Sequence, residues 1–412
     1  DLVRHLAEYL KCDDPRRGVD MGYHCELRPH LLSAWRRRVH DPDDQPERWL
    51  MEGSPMGICA LPEDRGIFPV YDDLTAMSDP ATLPTEEKAD YRSKDNLDEA
   101  DVAEIDDLVG RTWIRKFGSL RQAKNFVKGR MILSKLIVLV RDKKSKDEQG
   151  RVITKTKRRL LLNLKRSGIT SASVKAERVE LPRVLDVLFD GLELLKHGRR
   201  GQVRAGGLRQ LVLDFRHAFF NWPNREDERR YFAARLKDKV LVWLRSVQGS
   251  RGAPLISGRG LALAMRLVGA LVPSTSSSSS TYVDDPLSSY YGTVAETDRS
   301  IAKQVGSLLA LGFALAFDKA QDSHHHGQVT WTVAKLAFND DTESLTVEVK
   351  DEIIAELKDN ATALLDMVTI PLDELRAIAG RATCVASVLH VWRPFVTMLW
   401  APQYDMRSRC KW

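Results

Sequence analysis

The sequence predicts a mixed α/β fold of the α+β type, and three observations support that prediction. Short blocks rich in apolar and β-branched residues recur at 133–140, 160–164, 208–214, 240–247, 313–317 and 329–338, each of strand length. Between them lie stretches of helical period, such as 184–196 with Leu185, Leu188, Leu192 and Leu195 on one side, and 297–311 with Ile301, Val305, Leu308 and Leu309 inward. From Asp351 onward the pattern is helical, so helices also gather at one end of the chain. With 412 residues and 43% hydrophobic content, the chain can bury one large core or two to three smaller ones.

Composition excludes several classes. No run of eighteen or more apolar residues is present, so no membrane span or membrane partner is expected. No charged-then-apolar secretory leader opens the chain, and a first residue of Asp1 gives the expectation of a fragment of something longer. Five scattered cysteines without a Cys-x-x-Cys pair fit neither a disulfide framework nor a zinc site, and point to a reducing intracellular compartment, cytoplasmic or nuclear. His24, Cys25 and His30 near Cys12 match no standard zinc spacing. The net charge of +6 is unevenly spread: acids outnumber bases over 41–107, whereas 111–166 is crowded with Arg and Lys. Such a basic stretch is either a solvated face or a surface for a phosphate backbone.

Taken in order, residues 28–39 form a helix candidate, and 41–100 reads as mostly loop, rich in Pro, Asp, Glu and Gly. Helices are predicted over 96–108 and 120–127. The strands at 133–140 and 160–164, joined by a basic, Gly-containing loop, make a flexible cationic hairpin whose loop could close over an anionic substrate. The strand at 208–214 ends in Asp214, which fits a helix cap or a metal ligand presented at a sheet edge. The strand at 240–247 leads through Gln248-Gly249-Ser250-Arg251-Gly252-Ala253-Pro254 into a helix over 258–272, and backbone N–H groups at such a turn can approach a ligand closely. The serine run 274–280 reads as a floppy insertion.

Directly after it stands Tyr282-Val283-Asp284-Asp285-Pro286. Tyr and Val favour strand and Asp-Asp-Pro favours turn, so the two carboxylates fall at a hairpin tip. Adjacent acids repel each other and call for water, a basic partner or a divalent cation; hard oxygen ligands suit Mg²⁺. The His324-His325-His326 triplet cannot present three rings to one metal from a regular element.

Four patterns in this order resemble the reverse transcriptases of retroelements, over roughly residues 130–400. They are Asp214 with Ala218 and Phe219; Gln248 and Gly249 with Gly252, Ala253 and Pro254; Tyr282 with Asp284 and Asp285; and Leu311-Gly312-Phe313 followed by Lys319. Four phrases look more narrowly like the retrotransposon polymerases of dinoflagellates: Gly66-Ile67-Phe68-Pro69, Arg166-Ser167-Gly168-Ile169, Glu177-Arg178 to Leu181-Pro182-Arg183, and Val283-Asp284-Asp285-Pro286.

The resemblance implies a right-hand polymerase. It would have an N-terminal extension (1–110), fingers (111–205), an antiparallel-sheet palm flanked by helices and bearing the acids (206–340), and a helical thumb-like region (341–412). It implies catalytic and metal-binding roles for Asp214, Asp284 and Asp285. Two Mg²⁺ ions, with Mn²⁺ possible, would be bridged by Asp214 and Asp284, with Asp285 supporting less directly. It further implies substrate contacts by Arg159 and Lys157 on the triphosphate, Ala218 and Phe219 at the sugar, Gln248 on the incoming nucleotide, and Lys319 near the leaving pyrophosphate. The implied partners are an RNA or DNA template with a DNA primer, and dNTPs; oligomeric state stays open. Three departures stand out: Asn163 where the family carries an acid, Val333 where a Gly-containing turn follows Trp331, and the serine run. They keep a second reading in view, a catalytically degenerate nucleic-acid-binding remnant. A metal-dependent phosphodiesterase is a third, but it leaves Gln248 and Phe219 without a role.

Overall fold

A computed structural model of the protein describes residues 2–22, 25–71, 97–146, 152–200, 206–339, 342 and 344–409. His24, part of the acidic stretch (72–96) and the tip of the basic hairpin around Gly150 lie outside the described residues. The chain divides into two compact units. The first comprises Asp1–Glu180, Arg216–Leu267 and Ser307–Ala314; the second comprises Leu181–Phe215, Val268–Gly306 and Leu315–Trp412.

In the first unit an antiparallel sheet runs in the order Ile114–Phe117, Lys239–Trp243, Ala233–Leu236. Ala123, Val127, Met131 and Leu133 pack on it against Val240, Val242 and Ala233, all buried from water. The cationic hairpin forms, with arms that run further into the basic stretch than the expected strands. Lys135–Lys146 and Val152–Asn163 form one long antiparallel hairpin, with Leu139 opposite Arg159 and Arg141 opposite Lys157. Pairing satisfies the backbone on both arms, and on it Arg141, Lys157 and Arg159 are exposed while Arg158 turns to Asp98 and Asp101, which a composition-based reading cannot see.

The segment read as mostly loop also contains a helix, Gln45–Glu52, with Pro46 in its first turn where a missing N–H costs nothing. Two buried charged side chains, Glu228 and Arg259, tie this region down. Glu228 accepts hydrogen bonds from the N–H groups of Met56, Ile58, Cys59 and Ala60. Arg259 donates to Asp43 at 2.5 and 3.1 Å, to Glu177 at 2.8 Å and to the Glu63 carbonyl at 2.8 Å, all three charged side chains being fully buried.

In the second unit a four-stranded antiparallel sheet has the order Ser277–Tyr282, Asp285–Gly292, Gly207–Val212, Gln321–Asp322. The serine run is therefore a strand, not an insertion: Ser278 pairs with Ser289 and Ser280 with Leu287. Hydroxyls offset the low strand propensity of serine, because Ser278 Oγ donates to Asp190 at 2.5 Å and Ser279 Oγ lies 2.8 Å from Ser288 Oγ. A second sheet holds Gln328–Trp331, Ala334–Asn339 and Ser344–Val349. Val329, Trp331, Ala334 and Leu336 of this sheet share one core with Val212, Leu287 and with Val184 and Val187 of helix Val184–Arg200. The strand expected at 329–338 is thus two arms of a hairpin. The one expected at 313–317 does not form: Gly312 turns the chain at φ 98°, Leu315 makes a single bridge to Phe215, and a 3₁₀ turn Phe317–Lys319 follows. The expected C-terminal helices are Asp351–Leu365, Leu372–Ala386 and Arg393–Arg409.

The Asp43–Arg259–Glu177 group buries two acids against one base. Burial pushes the Glu177 carboxyl up to about 7 from 4.5, with Arg259 pulling the other way, and its Oε2 has no hydrogen-bond partner among the described residues. The native state therefore holds this proton more tightly than the unfolded chain, and stability falls as pH rises from about 4.5 to about 7. Glu177→Gln should flatten that decline, gaining a few degrees in Tm over the parent between about pH 5 and pH 8 in thermal melts.

Candidate active site

Asp214 lies two residues beyond the strand Gly207–Val212, and the ladder does not stop where the strand formally ends. Leu213 N–H donates to the Pro286 carbonyl at 3.0 Å and Phe215 N–H to the Asp284 carbonyl at 3.1 Å. Both bonds continue the register in which Val212 faces Leu287. Asp214 is therefore directly opposite Asp285, in a non-hydrogen-bonded rung, the kind in which facing side chains come closest. Tyr282 pairs with Asp285, so Val283 and Asp284 make a two-residue turn. Val283 sits at φ 58°, a left-handed conformation that costs a β-branched residue about 1–2 kcal/mol. The indole N–H of buried Trp331 donates to the Asp285 carbonyl at 2.9 Å, and the Tyr282 ring meets Trp331 edge-on at 6.2 Å. Ala316 N–H donates to the Asp214 carbonyl at 2.9 Å.

The electrostatics follow from this packing. Burial, then the neighbouring Asp284 and Asp214 carboxylates, push Asp285 up to about 6 from 3.8, against the pull of Lys319 and Lys350. Lys319 Nζ lies 2.5 Å from Asp214 Oδ2. Asp214, Asp284, Asp285 and Lys319, four residues singled out in the sequence, thus come together within the second unit. Lys350 joins them unannounced by any motif. It is placed by the turn at Thr332 and Val333, since its N–H donates to the Val333 carbonyl at 3.0 Å.

The other candidates belong to the first unit. Lys157 and Arg159 are two apart on Val152–Asn163, so they share one face and both are exposed. Arg158 between them points the other way and pairs with Asp98 at 3.0 Å and Asp101 at 2.6 Å. Ala218 is buried and Phe219 half-buried in a 3₁₀ turn, Ala218–Asn221, which starts after His217 at φ 57°. Burial, then the positive charges of Arg111, Arg216 and Lys157, hold His217 below its ordinary value. Gln248 is half-buried, and Gly249, at φ 97°, has the Leu162 carbonyl 3.6 Å from where a Cβ would stand. The Gln248 turn therefore packs against the same strand that bears Lys157 and Arg159. Gly252 is required because a Cβ there would meet the Met56 carbonyl at 2.5 Å. Sequence reading missed Lys350, Glu228 and Arg259, whose partners are distant along the chain and leave no local pattern.

By type the three acids offer carboxylate oxygens, the ligands a hard divalent cation takes, and their mutual repulsion is what such a cation relieves. Among the described residues no three His, Cys, Asp or Glu side chains form one coordination sphere. No helix among them is long and apolar enough to cross a membrane.

No family model and no curated protein matches the chain. Among solved structures it is similar to a foamy viral protease-reverse transcriptase in complex with an RNA/DNA hybrid, at TM-score 0.44 and 16% identity, covering 74% of this chain and 34% of that one. A second foamy viral protease-reverse transcriptase structure, in complex with double-stranded DNA, matches at TM-score 0.46 and 16% identity, covering 81% and 48%. A third, also with double-stranded DNA, matches at TM-score 0.43 and 15% identity, covering 84% and 58%. The chain spans less than two thirds of each of these three proteins.

Because folding raises the Asp285 pKa, the native state holds that proton more tightly, and the associated stability, full at low pH, is lost as pH rises from about 4 to about 6. With a chelator present, Asp285→Asn should melt higher than the parent near pH 8 and alongside it near pH 4, within about a degree. Equal melting at both would show that the acids do not strain one another.

Proposed function

We propose that this chain is the polymerase part of a retrotransposon reverse transcriptase, an RNA-directed DNA polymerase that extends a DNA primer on an RNA or DNA template. The observation that carries the reading is the acid pair facing across one rung, Asp214 and Asp285, with Asp284 in the adjoining turn and Lys319 on Asp214. It is supported by the four motifs in the family's order, and the phrases at 66–69, 166–169 and 177–183 support the narrower retrotransposon assignment.

Primer extension is the in-line attack of a 3′-hydroxyl on the α-phosphate of a dNTP, with pyrophosphate leaving. Two bound Mg²⁺ ions, or Mn²⁺, would supply an acidified hydroxyl and offset the charge on the leaving oxygens. Asp214, just past the end of its strand, and Asp284, in the hairpin turn beside it, would hold them, and Asp285 would reinforce the negative field without being a principal ligand. Lys319, on its 3₁₀ turn, would meet the departing pyrophosphate. In the first unit Lys157 and Arg159 would grip the triphosphate from their shared exposed face. Phe219 would stack under the sugar and exclude a 2′-hydroxyl, Ala218 leaving room beside it, and Gln248 would touch the incoming nucleotide. The rest of the catalysis is positioning, since no covalent intermediate is needed. A hybrid of template and new strand is close to A-form, so the basic hairpin would read backbone and shape, with binding that weakens as salt rises.

With Mg²⁺ and dTTP, the chain should extend oligo-dT on poly-rA, and Asp214→Ala and Asp284→Ala should each lose about three orders of magnitude in rate. An Asp284→Ala variant as active as the parent removes the assignment. Phe219→Ala should raise the ratio of ribonucleotide to deoxyribonucleotide incorporation. Salt-sensitive hybrid binding by a parent chain that incorporates nothing would leave the nucleic-acid-binding remnant as the reading.

A further inference from the structure

The contact between Lys319 and Asp214 has no obvious place in a site built to hold cations. A lysine ammonium sits 2.5 Å from the very carboxylate oxygen that a metal ion would use. The lysine is fixed at its base, because Ala316, whose N–H holds the Asp214 carbonyl, accepts from Lys319 N–H at 2.9 Å. Its ammonium is not fixed: the side chain is 44% exposed, against 21% for Asp214, so the four-carbon stem can swing away without disturbing the backbone.

Charge accounting gives the contact a meaning. Lys319 meets Asp214 directly, and the groups that act on Asp285 are the Asp284 and Asp214 carboxylates and the Lys319 and Lys350 ammoniums, so these five carry three negative charges against two positive. A divalent ion added to both lysines would overfill the cluster, and would place two cations on one oxygen; an ion that replaces Lys319 leaves the cluster neutral. We propose that Lys319 is the resident counter-cation of the acid cluster, and that a divalent ion enters by displacing its ammonium from Asp214. The freed ammonium is then available to a second anion, so metal entry and phosphate capture are coupled through one side chain. This rests on the polymerase reading of the acids and adds to it a competition within the chain itself.

The test is binding of Mn²⁺ alone to the full chain, followed by the electron paramagnetic resonance signal of free Mn²⁺, with no nucleotide or primer present. Lys319→Met should tighten binding about tenfold, since the ion no longer competes with an ammonium on the same oxygen. Lys350→Met, which removes an equal charge from the neighbourhood, should tighten it less. In an Asp214→Asn background the gain from Lys319→Met should vanish. Unchanged or weaker binding by Lys319→Met overturns the proposal, as does an equal gain from Lys350→Met, which would mean general charge and not competition. If the folded parent and Lys319→Met both take up no Mn²⁺, the polymerase reading itself fails and takes the proposal with it.

Discussion

Everything in the second unit answers to one constraint: like charges on Asp214 and Asp285 face each other across a single rung of an antiparallel sheet. Directly opposed like charges weaken a ladder, and desolvation makes the repulsion worse. Backbone hydrogen bonds above and below the rung hold it closed. Leu213 and Phe215 donate across it, Trp331 pins the Asp285 carbonyl and Ala316 pins that of Asp214. Each bond fixes the main chain and leaves the carboxylate at its end without freedom to retreat. The left-handed Val283 belongs to the same logic, since strain in the turn persists only where surrounding structure over-determines it.

What holds the rung must itself be held. Trp331 is buried in a core that joins Val212 and Leu287, the residues flanking the rung, to Val184 and Val187 on the helix behind. Displacing that indole would therefore loosen the acids through two routes, the lost hydrogen bond and the lost packing. The outer strand adds little apolar area, because it is mostly serine. Its hydroxyls reach Asp190 and Ser288, and Gln304 donates to Ser288 at 2.7 Å, so this flank is held by directional bonds. Such bonds specify register well, since a slip of one residue would unmake all of them together.

The legible parts of the chain were those whose cause is local. Tyr282 to Pro286 announced a hairpin because strand-formers and turn-formers alternate within a few residues, and helix 184–196 announced itself by its leucine period. Serine 277–280 was misread because propensity is measured on side chains in general, whereas these four are paired by their neighbours. The strand expected at 313–317 failed for another reason: Gly312 turns the chain, a 3₁₀ turn follows at Phe317–Lys319, and Leu315 is left with a single bridge to Phe215 in place of a ladder. Glu228 and Arg259 were invisible because their partners are far along the chain, 170 residues from Glu228 to Ile58 and 82 and 216 from Arg259 to Glu177 and Asp43, distances at which sequence pattern carries no signal. The pairing of Asp214 with Asp285, not with Asp284, could not be read either, because a register is set by the turn's conformation, and Val283 gives no hint of taking a glycine's place.

That last point bears on the three features that set this chain apart from the family it resembles. Asn163, standing for an acid, closes its strand and accepts the Arg166 N–H at 3.1 Å, a role an amide fills as well as a carboxylate. The turn after Trp331 closes without glycine because Thr332 takes φ 50° itself, and Val333 then receives the N–H of Lys350. The serine run is a paired strand of the acid-bearing sheet. Random decay removes interactions faster than it replaces them, since most substitutions destabilise. Here each unusual residue has a partner, and that of Val333, Lys350, is one of the charges that act on Asp285. The departures are thus departures of type and not of integration, and the case for a degenerate remnant has to rest on something other than these residues.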